Sequence, residues 1–346
     1  MTDLPKHAVD LPKHEKDAPA SASEAGRPTA SWLRANWLWA LLALVGVAFI
    51  LAPIRLGMYG EAAEGQRMVE RFAPVLTDQR LDRLEDHLKV IEAARAETAA
   101  RQLPQGDLAH LNTVEFVAQF PETETRFSGW IAQMRADEGV FGQLKSLPPF
   151  GLFPFVFGFA GLVLVVVGAV GLLSDSARLR SDSAGKGRVL RVLAALVGVG
   201  LVLFPVATGV FAKSASGTKL LADFQPILTE ENVRWAQSQF VVIGPSSAEL
   251  LNDLHTNPQA ELPATKAFVD QWATISSDFA GVIEEFADNL GHFQALERLN
   301  QTTAPLGFAA FDEFGWFYLV PGLFLVIVVG ADLLARRRRD NSREQA

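Results

Sequence analysis

Four long apolar runs punctuate the chain, at Trp37–Leu56, Phe150–Leu173, Val189–Phe211 and Phe314–Ala335. Each is rich in Leu, Val, Ala and Gly without strict alternation, so each reads as a helix. About 20 such residues, rising 1.5 Å each, cross the hydrocarbon core of a bilayer. There the backbone groups must be satisfied within helices or closed barrels. The pattern predicts transmembrane helices over 35–57, 150–173, 189–211 and 314–335. The first run begins too late for a signal peptide, and no small-x-small cleavage site follows it, so it reads as a retained helix.

Two polar stretches, 58–149 and 212–313, carry apolar residues at helical spacing. Met68, Phe72, Val75 and Leu76 set one stripe; Leu220, Phe224, Ile227 and Leu228 set another. Thr77-Asp78 and Thr229-Glu230 then read as starts of a further helix. Each stretch predicts three or four helices around an aromatic core, the first continuing from its membrane helix.

These stretches are two copies of one unit. Residues 41–131 fall without a gap on 193–283, and 26 of the 91 pairs are identical. Ala43–Val47 and Ala195–Val199 both read ALVGV, and Phe72–Thr77 (FAPVLT) falls on Phe224–Thr229 (FQPILT). Internal repeats set the architecture. The match resumes at an offset of 164, where Phe150, Gly151, Phe153, Val156 and Gly158 fall on Phe314, Gly315, Phe317, Val320 and Gly322. About 12 extra residues then belong to 284–313, near Asn300–Pro305. The expected fold is an all-α integral membrane protein. It has four transmembrane helices in two tandem, parallel units of membrane helix, outer helical domain and membrane helix, related by a pseudo-twofold axis along the membrane normal.

Charge orients this arrangement. Arg178, Arg180, Lys186 and Arg188 crowd the link 174–188, and Arg336–Arg339 open the tail 336–346. Lys and Arg beside membrane ends mark the cytoplasmic side. Both termini are then expected inside a plasma (inner) membrane and both long loops outside. Trp32, Trp37 and Trp39, and Trp316 with Tyr318, read as interfacial anchors. The outer stretches hold 15 acidic against 10 basic residues and 14 against 5, which argues against nucleic acid as a partner. The chain has no cysteine, so disulfides and thiolate chemistry are excluded. Its Ala-rich, cysteine-free composition is bacterial-like. Residues 1–34 read as a disordered tail with a repeated DLPKH that places His7 and His14 seven positions apart.

Candidate chemistry is sparse. Pro53 and Gly57, with Pro205 and Gly209, predict a bend or hinge where each unit leaves the membrane. Gly158, Gly161, Gly168, Gly171 and Gly198 predict close helix packing, within the chain or between copies of it. Glu97 and Glu249 coincide between the units, as do Gln119 and Gln271, and predict a polar pair where the units meet. Phe150, Phe153, Phe314 and Phe317 are candidates to line an apolar cavity. No charge is expected near the middle of a membrane helix, with Asp332 placed at an inner end beside Arg336. The six His form no cluster, and neither H-E-x-x-H, G-x-S-x-G nor a P-loop occurs. Asn300-Gln301-Thr302 has the glycosylation pattern. No catalytic group, metal or cofactor is predicted.

The leading expectation is therefore a non-catalytic envelope protein, acting as scaffold, accessory subunit or partner-binding protein among membrane lipids, with a protein partner or a second copy. The alternatives are a transporter or lipid-handling protein with a cavity between the units, and an outer ligand sensor with a separate output partner. A symmetric function would lie where the two copies touch.

Overall fold

The computed structural model describes residues 30–103, 109–176, 183–259, 261–307 and 309–344. The tail motifs at His7 and His14, and Arg178 and Arg180, lie outside them. The described residues are helical, with no strand among them. In the first half these are α1 (Ala30–Arg55), α2 (Met58–Phe72), α3 (Asp78–Ala100), α4 (Leu111–Lys145) and α5 (Leu152–Ser176). In the second they are α6 (Ser183–Thr208), α7 (Val210–Lys213), α8 (Ala215–Phe224), α9 (Glu230–Thr256), α10 (Pro263–Gln301) and α11 (Trp316–Glu344).

Four helices are long and apolar enough to cross a membrane: Asn36–Arg55, Leu152–Ser174, Gly185–Thr208 and Trp316–Arg338. They pack as two hairpins, α1 with α5 and α6 with α11. Glycine makes the close approach: a methyl on Gly46 would fall 2.6 Å from the Gly161 carbonyl, and one on Gly161 would fall 2.6 Å from the Gly46 carbonyl. Gly198 and Gly322 face each other in the same way, at 2.9 and 2.8 Å. Gly168 lies against Trp39 and Ala43, Gly171 against the Trp39 ring, and Gly158 against the Tyr59 hydroxyl. All five predicted packing glycines thus meet partners inside the chain.

Pro53 and Pro205 lie within α1 and α6. The break falls later. Gly57 and Gly209 adopt φ of 65° and 68°, the left-handed region that glycine enters without a Cβ clash. The first outer helix therefore starts afresh at Met58, and at Val210, rather than running on from the membrane helix. Thr229 caps α9 by accepting from the Asn232 amide at 3.1 Å, whereas Thr77 makes no such bond to α3. The additional length of the second half lies in α10 and in the turn before α11, which holds a short 3-10 helix at Ala304–Leu306. There the Asn300 side-chain oxygen accepts from the Phe311 amide at 3.0 Å, so the glycosylation triplet is built into the turn.

The outer helices share one core. Its buried residues run from Ala62 in α2 to Phe311 beyond α10, drawn from both halves. The expected two small cores are merged because the long last helix of each half packs on the other half: α10 on α2 and α3, and α4 on α8 and α9. A short helix with a single apolar stripe needs a second surface to cover it, and the opposite half supplies one.

Candidate functional site: the seam between the two halves

The seam begins at the far tip of the outer body, where α4 and α10 start. Glu249 of α9 receives the first amides of α4. Its Oε2 accepts from the Thr113 amide at 2.8 Å and the Thr113 hydroxyl at 2.7 Å. Its Oε1 accepts from the Asn112 amide at 3.2 Å and the Asn112 Nδ2 at 2.5 Å. Glu97 of α3 does the same for α10, accepting from the Thr265 amide at 2.7 Å and the Ala264 amide at 3.4 Å. A carboxylate suits this position because a helix start presents unbonded amides and the positive end of its dipole. The two glutamates do not touch each other; each caps a helix of the other half. Gln119 bonds Glu115 on an exposed face, and Gln271 is exposed as well, so the glutamines form no pair at the seam.

Beside these caps, Arg101 donates to Asp253 Oδ2 at 2.7 Å, and His110 Nε2 meets Asp253 Oδ1 at 2.7 Å. Burial by itself would raise Asp253, but the His110 and Arg101 bonds outweigh it and hold the carboxyl below its usual range. Glu249 is likewise held low, its burial outweighed by the bonds from Thr113 and Asn112. The other described histidine pairs also cross between halves. His87 Nε2 lies 2.9 Å from Asp278, and His292 Nδ1 lies 2.5 Å from Glu64. Asp137, fully buried, accepts from Lys219 of α8 at 2.6 Å. The paired histidines are scattered along the sequence because each one's partner lies in the other half. Arg126 donates to Asn232 and stacks 4.1 Å from the Trp235 ring centroid.

Rings line the middle of the seam. Phe72 and Phe224 meet edge to face at 5.5 Å, Phe116 and Phe268 stack at 6.0 Å, and Phe127 and Phe279 meet at 5.3 Å. The members of each pair stand 152 positions apart, as do Arg101 and Asp253. Within the membrane layer Phe153 meets Phe314 at 5.0 Å, and Phe157 stacks on Tyr318 at 4.4 Å. The Tyr318 hydroxyl donates to the Phe153 carbonyl at 3.1 Å. Phe204 closes the group, 5.0 Å from Tyr318.

The seam ends in a buried charge that sequence reasoning passed over. Arg191 of α6 is 6% exposed. Its Nε donates to Asp332 of α11 at 2.7 Å, and its guanidinium lies 4.7 Å from the Trp39 ring centroid of α1. Asp332 also accepts from Arg336 at 3.0 Å. The available signal was positional, since Arg191 is three residues inside an apolar run and 152 positions after Trp39.

Apolar cavities adjoin the seam among the described residues. One of about 20 Å³ lies among Phe127, Trp130, Phe279 and Phe286 in the outer body. Another, about 30 Å³, lies where the outer body meets the membrane helices, among Met68, Leu147, Phe150, Ser214, Phe311 and Phe314. Each has the size of one or two water molecules. Phe150 and Phe314 line the second cavity, whereas Phe153 belongs to the ring cluster and Phe317 lies 6.5 Å from Phe314 outside the cavity lining. Among the described residues no group of three His, Asp or Glu is placed to hold a metal ion.

No protein-family model, curated protein or solved structure matches this chain.

Proposed function

We propose that this chain is a non-catalytic membrane scaffold or accessory subunit, built as a tandem dimer in one chain, that binds a protein partner through its outer body. The observation that carries this reading is the self-contact of matched positions. Phe72 with Phe224, Phe116 with Phe268, Phe127 with Phe279, Arg101 with Asp253 and Trp39 with Arg191 all touch across the seam. Contact of a residue with its own counterpart is what a twofold interface produces. The contacts of Phe153 with Phe314 and Phe157 with Tyr318 favour a register of 161, rather than 164, for the last helix of each unit. In that register Gly161 matches Gly322, and Gly171 matches Asp332.

The polar groups of the seam support a structural role. Glu97, Glu249, Asp253 and Asp137 are each committed to a helix start or an ion pair. A transport or lipid-handling route would have to open the ring cluster of Phe153, Phe157, Phe204, Phe314 and Tyr318. A ligand sensor would have to enlarge one of the apolar cavities of about 20 and 30 Å³. By the distribution of Lys and Arg, the outer body faces away from the cytoplasm of a plasma membrane, with both termini inside.

The test is purification from native membranes in mild detergent, with mass spectrometry of bound proteins and lipids. A protein partner or a second copy at fixed stoichiometry is expected. A monomer that retains neither, both in detergent and in nanodiscs, would overturn the reading. Single cysteines added to this cysteine-free chain report orientation. Asn257→Cys, at an exposed position of the outer body, should react with an impermeant maleimide in intact cells, and Ser342→Cys only after lysis.

A further inference from the structure

Charge is unevenly placed on this chain. The protein is acidic as a whole, with a formal net charge of -8. Yet residues 183–191 and 329–338 together hold six cations, Lys186, Arg188, Arg191, Arg336, Arg337 and Arg338, against the single carboxylate of Asp332. Arg191 and Asp332 stand 141 positions apart, and their bond at 2.7 Å sets the start of α6 beside the end of α11. Arg336 Nε donates to the same carboxylate at 3.0 Å. One negative charge thus serves two guanidiniums, and the group stays positive. Lys186, Arg188, Arg337 and Arg338 are exposed, and none has a side-chain ion pair among the described residues. At 1.5 Å per residue, Arg188 lies about 4–5 Å beyond the buried pair along α6, and Arg336 to Arg338 lie about 6–9 Å beyond it along α11. The cations therefore form one band across the end of the hairpin.

On the membrane side of this band the same helix faces are apolar. Val192 stands four residues from Arg188, and Leu334 stands three and four from Arg337 and Arg338, spacings that share a face. Val192 is 44% exposed and Leu334 61%. Each face presents hydrocarbon and then cation, the order of a phospholipid's chains and phosphate. A soluble polyanion would answer the cations and leave the hydrocarbon uncovered. The matched positions of the first half are different. Arg34 matches Lys186, but Asn36, Asp175 and Ser176 stand where Arg188, Arg336 and Arg337 stand in the second.

We propose that the band of Arg188, Arg336, Arg337 and Arg338 binds the head group of an anionic phospholipid, whose chains lie along Val192 and Leu334. A cluster of cations immediately beyond membrane helices attracts anionic lipid. Arginine suits phosphate because its planar fork of donors meets two oxygens at once. Arg336 is already held through Nε by Asp332, which leaves its Nη donors for a further acceptor. A head group of net negative charge is selected over a zwitterionic one, whose own cation would be set against the band. This inference rests on the reading that α6 and α11 cross a membrane, and it is separate from the choice of protein partner.

The test uses the full chain in mild detergent, exchanged with phosphatidylglycerol or phosphatidylcholine of the same chains and read by native mass spectrometry. Phosphatidylglycerol should be retained about tenfold over phosphatidylcholine at low salt, and less so at roughly 0.5 M salt. Arg188→Gln with Arg337→Gln and Arg338→Gln should remove that preference at an unchanged melting temperature, since the Arg191–Asp332–Arg336 group is left intact. Lys89→Gln with Arg234→Gln and Lys266→Gln makes the same change of charge at exposed sites of the outer body and should leave the preference in place. Equal retention of the two lipids overturns the inference, as does equal loss in both triple variants. Displacement of the lipid by inorganic phosphate at the same concentration assigns the band to a free anion and overturns it too. A chain that inserts into nanodiscs without lipid preference overturns this inference alone, whereas one that stays soluble without detergent or lipid overturns the membrane reading with it.

Discussion

The two hairpins of membrane-capable helices solve one packing problem in opposite ways at the ends near Trp39 and Arg191. In the first, the Trp39 ring packs against Gly171. In the second, Arg191 reaches Asp332, and the two solutions touch where the Arg191 guanidinium covers the Trp39 ring. A ring on a glycine depends only on shape. A buried ion pair depends on both partners, because removing one takes from the other a charge that offsets its burial. The first end therefore tolerates changes that preserve volume, and the second tolerates only paired changes.

The largest effect should come from separating the pair. Asp332→Gly takes the buried carboxylate away from Arg191 and should cost roughly 3–5 kcal/mol, seen as a large fall in melting temperature in detergent. Arg191→Trp combined with Asp332→Gly installs the first hairpin's solution in the second and should recover most of that loss. Failure of the double change to recover stability would show that the two ends are not equivalent. Next, Gly161→Leu drives a side chain into the Gly46 carbonyl and should cost about 3 kcal/mol, whereas Gly330→Ala, with nothing within 4 Å, should be silent.

The caps at the far tip permit a finer comparison. Glu249 accepts four bonds and Glu97 two, so Glu249→Gln should destabilise the outer body by about 1–2 kcal/mol and Glu97→Gln by less. Glu249 and Asp253 titrate lower in the fold than their ordinary values of 4.5 and 3.8. Their contribution is complete above those values and disappears as pH falls through the lower, folded-state ones. Calorimetry on descending pH should show that loss, and Glu249→Gln should flatten it. Glu124, raised by burial and then by Glu92, works in the opposite sense, gaining stability as it protonates. The smallest effect separates the helix starts: Thr229→Ala should cost about 1 kcal/mol, and Thr77→Ala almost nothing, because only Thr229 holds an amide.

Much of the seam was half-legible. The coincidence of Glu97 with Glu249 is visible in the letters, but their role is not, because each acts on a helix start more than 130 residues away. The pairing of Arg101 with Asp253 was also present as opposite charges at matched positions, a pattern that becomes informative once the halves are known to face each other. His87, His110 and His292 gave no signal at all, since their acids lie in the other half at unmatched positions.

The sequence by itself determined what each segment must be. Apolar length defines four membrane-capable helices, and the spacing of Met68, Phe72, Leu220 and Phe224 marks which faces seek cover. Only the tertiary structure decided which face covers which. Hydrophobic burial is non-directional, so a stripe on α10 gains as much from α2 and α3 as from helices of its own half. The choice was made by shape and by polar groups that need a partner at a fixed place. The ring pairs, the crossed glutamate caps and the Arg191–Asp332 bond exist only once both halves are assembled.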